Sequence, residues 1–311
     1  MQRRMMLGIK QRAEKDEHMI PPRTILAAVD FSDTSRTALA FATRLATQTG
    51  AALHVLHAED PLLKEAARRT GVDLNKESRE ELRRVIETTP PTAPGEPHLH
   101  VVNGPAVEVI VHIAIRENAD LVVVGSHGMS GAERLMFGST TEGVLRRASV
   151  PILVVPRGWT PPRPDTADLS GMGPVIAAVD FTEPAIAAGA AACELAAVLS
   201  TSVEIAHVVP DLPVLERWRP HADAAIPQRT CAARRELDSI LRCLHAKVPL
   251  QVHVLSGGVA RSLADIAAPA GDRHPILVLG RKVERSGGTP GAIAYRVLSL
   301  ADVPVLVHVE P

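Results

Sequence analysis

The stretch ILAAVDFSD, residues 25–33, returns as VIAAVDFTE at 175–183. DLVVVGS at 120–126 returns as PILVLGR at 275–281, and ASVPILVVP at 148–156 returns as ADVPVLVHV at 301–309. The three offsets are 150, 155 and 153 residues. Order and spacing persist across each half, so the chain reads as a tandem repeat. The last two offsets differ by two, which places a two-residue deletion between the fourth and fifth strands of the second copy.

Within each copy, short apolar runs alternate with helical patterns. In the first copy the runs are TILAAVD, AALHVLHA, LHVVNG, DLVVVGS and PILVVP, with helical stretches near 34–48, 61–88, 105–118 and 138–148. Strands apolar on both faces, each followed by a helix, indicate parallel βαβ units. Right-handed crossovers build such units into a doubly wound open α/β sheet. A sheet of this kind takes ligands beyond the carboxyl ends of its strands, where strand order reverses. RGWTPPRPDTADLSGMG, 157–173, separates the copies; its proline, glycine and polar residues read as a linker.

The 311 residues suffice for two domains. Hydrophobic residues make up 46% but aromatic ones only 2%, so the core is built from Ala, Val, Leu and Ile. The formal net charge of −1 exerts no general pull on nucleic acid or anionic lipid. Cys193, Cys231 and Cys243 form no CxxC pair and read as reduced thiols, which suits the cytoplasm. His98 and His100 flank one leucine, but neither a cysteine nor a second histidine cluster completes a zinc site in the sequence. No apolar run approaches the about 20 residues of a membrane span. Residues 1–20 read as a charged tail without the apolar centre of a signal peptide, with a start at Met19 as the alternative.

The stretch VVVGSHGMSGAERLMFGSTTEGVL, 122–145, passes from a strand through Gly125, Gly128, Gly131 and Gly138 to the hydroxyls of Ser139, Thr140 and Thr141. Two readings stand side by side. In one the glycines make a turn, and Ser139 with Glu142 forms a capping box. In the other, bare amides of the turn and the start of a helix hold a phosphate. No GxxxxGK[ST] occurs, no lysine sits in the turn, and the spacing is not a dinucleotide fingerprint. Such a site favours binding over phosphoryl transfer, which needs a cationic clamp and a positioned base. Asp30, at the end of the first strand, either accepts hydrogen bonds from a ribose or base or, with Ser32, starts the first helix. His127 is either a donor to phosphate or an exposed turn residue.

The segments VVVGSHGMSG and GSTTEGVLRRASVPILVVP resemble the universal stress protein signature G-x2-G-x9-G-[S/T], and AAVDFSDTSRTAL at 27–39 looks like that family's first strand and helix start. The resemblance implies two tandem five-stranded parallel sheets of order 3-2-1-4-5, in domains at 21–157 and 174–311 joined by a linker at 158–173. It implies ATP or a related adenine nucleotide in the first domain, with Mg2+ as an accompanying ion. Carried over by position, Ala28, Val29 and Asp30 line the adenosine side, and the main chain at Ala58 meets the adenine edge. Val124, Gly125, His127 and Gly128 wrap ribose and phosphates, and Gly138, Ser139, Thr140 and Thr141 hold the phosphates. The fifth strands are expected to pair within the chain, and a homodimer is compatible with the family. The implied function is a nucleotide-responsive stress regulator acting through protein interactions rather than an enzyme. The alternatives are a slow ATPase or autophosphorylating protein using Ser139 or Thr140, and a nucleotide-free scaffold. The second copy keeps Asp180, Gly280 and Gly291, but Val283 replaces its second glycine and Ala292 stands in place of Ser139. It is therefore expected to be a structural partner without ATP.

Overall fold

A computed structural model describes residues 21–89, 95–128, 138–244, 246–282 and 292–310. The first half runs β1 (Thr24–Ala28), α1 (Asp33–Thr49), β2 (Ala52–Glu59), α2 (Pro61–Arg69), α3 (Leu74–Thr88), β3 (His98–Asn103), α4 (Ala106–Arg116), β4 (Leu121–Gly125), α5 (Ser139–Arg147) and β5 (Ile152–Val155). The second runs β6 (Val175–Ala178), α6 (Glu183–Val198), β7 (Val203–Pro210), α7 (Arg219–Ala224), α8 (Ile226–Leu241), β8 (Leu250–Gly257), α9 (Val259–Ile266), β9 (Ile276–Lys282), α10 (Ala292–Leu300) and β10 (Val305–Glu310). The helical stretch read at 61–88 is two helices. Gly71 adopts φ 74°, and Asp73 caps α3 by accepting from the Lys76 amide, so the chain stops and restarts there.

The strands form one ten-stranded sheet, β3-β2-β1-β4-β5-β10-β9-β6-β7-β8. Each half has the expected order 3-2-1-4-5, parallel throughout. The halves join where β5 and β10 pair antiparallel, Leu153 opposite Leu306. Strand residues alternate between two apolar layers. Ile25, Val123, Leu153 and Leu306 face one layer, and Leu26, Val122, Ile152 and Val305 face the other. Both layers contain residues of both halves, so the core is continuous across the seam.

Segment 158–173 connects the halves but is no loose spacer. Trp159, Leu169 and Met172 are buried, and the Trp159 ring lies 5.4 Å from that of Phe41 on α1. The buried Arg44 donates to the carbonyls of Pro164 (2.7 Å) and Thr166 (3.2 Å). Gln48 donates to the Val198 carbonyl (2.6 Å) and accepts from the Leu169 amide (3.2 Å), tying α1 to this segment and to α6.

A second tie crosses the other layer. Arg281 follows Gly280 in β9, where Ser126 follows Gly125 in the first half. Its buried guanidinium donates to the Arg146 and Ala148 carbonyls at the end of α5. A helix C-terminus carries unpaired carbonyls and partial negative charge, and a cation there satisfies both. Arg281→Met is therefore expected to destabilise the whole chain by about 1–3 kcal/mol in chemical denaturation, because the Ala148 carbonyl it frees stays buried.

His308, in β10 opposite Gly280, has a buried Nδ1 without a hydrogen-bond partner among the described residues. Burial pushes its pKa down to about 4, from an ordinary value near 6.5. The unfolded chain therefore binds more protons through that interval. Stability is complete above about pH 6.5 and falls as pH drops toward 4, by up to about 1.4 kcal/mol per unit. Urea midpoints of a His308→Leu variant are expected to fall less steeply from pH 7 to pH 5 than those of the parent.

Candidate functional site

The carboxyl ends of β1, β2 and β4 meet where strand order reverses. Ala28 and Ala58 are half-buried and rest on the same apolar layer as the buried Val124, giving the crevice an apolar floor. Val29 faces the opposite layer. Its amide donates to the Leu56 carbonyl (2.8 Å), and its carbonyl accepts from His57 Nδ1 (2.9 Å). Its polar groups are thus spent on the fold, contrary to the expectation that it lines the adenosine side.

The chain then reverses. Phe31 adopts φ 67°, uncommon for an aromatic residue, and its ring lies 4.2 Å from that of His57. Asp30 Oδ1 accepts from the Ser32 amide (3.1 Å) and hydroxyl (2.6 Å). Ser32 in turn caps α1 by accepting from the Ser35 amide (3.2 Å). The second half repeats this turn. His207 Nδ1 donates to the Val179 carbonyl (2.7 Å), Phe181 has φ 68°, and Asp180 Oδ1 accepts from the Thr182 amide (3.1 Å). A device made twice belongs to the fold, so the helix-start reading of Asp30 holds for one of its oxygens.

The glycines sort the same way. A Cβ on Gly125 would lie 2.8 Å from Thr34 Cγ2 and 3.1 Å from the Thr34 carbonyl carbon. A Cβ on its counterpart Gly280 would lie 2.2 Å from the Pro184 carbonyl oxygen. In each half this glycine lets a helix begin directly over a strand end. Gly128 has a different neighbour: its Cβ would lie 2.6 Å from Asp30 Oδ2. The glycine turn therefore stands against the carboxylate at the end of β1. Gly131 lies outside the described residues, as do Val283 and Gly291 in the second copy.

Gly138 rejoins the turn, donating its amide to the Ser126 carbonyl (3.0 Å), with Gly128 N 3.4 Å from where its Cβ would be. Gly138 is the N-cap of α5, which has no side-chain cap. The expected capping box is therefore not formed. Ser139 is already the first helical residue and is exposed, while Glu142 pairs with Arg146 at 3.8 Å. The amides of Ser139, Thr140 and Thr141 have no acceptor among the described residues. Thr141 is buried, and its hydroxyl donates to the Gly125 carbonyl (2.7 Å). This corrects its expected role as a hydroxyl donor to phosphate: it ties α5 to β4.

Sequence reading missed Ser126. Its buried Oγ accepts from the Arg157 amide (3.1 Å) and lies 2.9 Å from His127 Nδ1. Ser126 Oγ thus ties the strand end to both the following histidine and the start of the connecting segment. The Gly-Ser to Gly-Arg change between the copies was the available signal.

Two substitutions separate fold from site. Gly125→Ala is expected to lower unfolding stability by about 1–3 kcal/mol, because backbone must shift. Gly128→Ala meets only the end of the Asp30 side chain and is expected to cost less in the same urea titration.

Comparison with known proteins agrees with this architecture. Residues 22–156 match the model of the universal stress protein family. The chain is 33% identical over 136 residues to "Universal stress protein in QAH/OAS sulfhydrylase 3'region" of Thermus aquaticus, covering 43% of this chain and 98% of that protein. It is 30% identical over 144 residues to universal stress protein YxiE of Bacillus subtilis, covering 42% of this chain and 97% of that protein. A solved universal stress protein from Archaeoglobus fulgidus superposes with a TM-score of 0.59 at 20% identity, over 93% of this chain and 99% of that one, and so has the same fold. Among the described residues no helix is long and apolar enough to cross a membrane. With the carboxyl ends of the parallel strands of the first half carrying the glycine turn, and a relative matched over nearly its whole length, the chain belongs to the universal stress protein family.

Proposed function

We propose that the first half, 21–157, binds an adenine nucleotide, ATP in the first instance, and that occupancy changes the protein's interactions with partner proteins. The observation carrying this reading is the start of α5: three amides without acceptors among the described residues, following Gly138, which packs beside Gly128. A helix start attracts anions through its unpaired donors and partial positive charge. In this reading Gly128, Gly138, Ser139, Thr140 and the α5 amides take the phosphates, and His127 donates from its imidazole ring. Ala28, Ala58 and Val124 lie under the adenosine, and the Asp30 carboxylate accepts from ribose hydroxyls. A Mg2+ ion between Asp30 and the phosphates suits an oxygen-only donor set. The second half, 174–311, serves as the structural partner. Its place equivalent to Ser126 holds Arg281, whose side chain is committed to the seam.

Mass spectrometry of protein purified without added nucleotide is expected to find a bound adenine nucleotide, and millimolar ATP to raise the melting temperature. Absence of both overturns the reading. Gly128→Val is expected to abolish the shift. Ser139→Ala and Thr140→Ala are expected to weaken ATP binding by about 3–10-fold each, the loss of one hydrogen bond. Thr141→Val, by contrast, is expected to lower the stability of the nucleotide-free protein by about 1 kcal/mol.

A further inference from the structure

A second cluster lies on β2 and β3, near the amino ends of both strands. In a strand, residues two apart share a face, so His98 and His100 of β3 point the same way. β2 pairs with β3 so that His54 lies opposite His98 and Leu56 opposite His100. The fold thus supplies the partner that sequence reading did not find. His54 Nδ1 lies 3.0 Å from His100 Nε2, and the His54 and His98 rings are 4.6 Å apart. Glu117, which follows α4, brings Oε2 to 3.8 Å from His54 Nδ1. One ligand atom from each of His54, His100 and Glu117 lies within 4.8 Å of the others.

We propose that His54, His100 and Glu117 bind a divalent transition-metal ion of the zinc class. Tetrahedral bonds of 2.0–2.1 Å to nitrogen or oxygen separate neighbouring donors by about 3.3 Å. The observed 3.0 and 3.8 Å bracket that value. Two imidazoles and one carboxylate suit zinc rather than Mg2+ or Ca2+, and three protein ligands leave the fourth position to water.

The second half shows how this place is filled when no metal is needed. Glu204 stands where His54 does, and His253 where His100 does, in the same register across β7 and β8. Glu204 Oε2 lies 3.0 Å from His253 Nε2 and 2.8 Å from Arg273 Nη2, so a carboxylate with its own guanidinium partner stands in place of an imidazole. The first half instead sets imidazole against imidazole. Without metal, Arg116 Nη2 donates to His100 Nδ1 (3.2 Å), which leaves the His100 proton on Nε2, shared with His54. Metal binding replaces that shared proton. The proton moves to Nδ1, and the half-exposed Arg116 turns to solvent, so no net proton is released.

The experiment is equilibrium dialysis of chelator-treated full-length protein against micromolar Zn2+, with Mg2+ as the control. One zinc per chain is expected in the parent and none at this site in His100→Gln. No zinc in the parent, or equal binding in His100→Gln, overturns the proposal. Replacing a strand histidine can impair folding, so Glu117→Gln and Arg116→Ala, at the C-terminal end of α4, give an independent measurement. Glu117→Gln is expected to weaken zinc by about tenfold or more, and Arg116→Ala to strengthen it by removing a neighbouring cation. Equal affinity in both overturns the proposal. The site lies apart from the glycine turn, so Gly128→Val leaves zinc binding unchanged.

Discussion

The antiparallel pairing of β5 with β10 is the constraint on which the rest of the molecule depends. A five-stranded parallel sheet has two open edges, and an open edge presents unpaired backbone groups that invite other chains. Here the fifth strand of each half closes the edge of the other. The register then places Leu153 against Leu306 and runs both apolar layers through the seam. Each half therefore completes the core of its neighbour.

That seam explains features without meaning inside one half. Arg44 and Gln48 hold the connecting segment on one layer, and Arg281 holds the end of α5 on the other. The start of α5 faces the glycine turn, while its end is anchored by the second half. The helix is thus fixed at both ends by the protein itself, so the proposed nucleotide would meet amides already in place, which lowers the ordering cost of binding.

The repeat acts as an internal control for the site. Both copies carry a strand-end aspartate, an aromatic residue at positive φ, a histidine reaching back to the strand carbonyl, and a glycine under a helix start. Those features explain the turn. Among the described residues Ser126 against Arg281 differs, and in the proposed reading this marks the first copy as the one that takes the nucleotide. The same comparison isolates the histidine cluster: Glu204 lies between His253 and Arg273 in one half, where His54, His100 and Glu117 form the proposed cation site in the other.

The family resemblance implied the strand order in each half and the pairing of fifth strands; by itself the sequence determined the tandem repeat, the alternation of strands and helices, and the place of the glycine turn. These rest on periodicity and on offsets between copies, which are local or translational properties of a string. It led to twelve site residues, but it could not say which oxygen, amide or hydroxyl each would have left over. Only tertiary structure decided that Val29 and Thr141 are spent on the fold, that Ser139 is no cap, and that 61–88 is broken in two. Likewise His98-Leu99-His100 reads as incomplete along the chain, because its partners lie on another strand and at a helix end. Hydrogen-bond saturation and ligand convergence depend on distances between residues far apart in sequence, which register and layer packing set and no local pattern encodes.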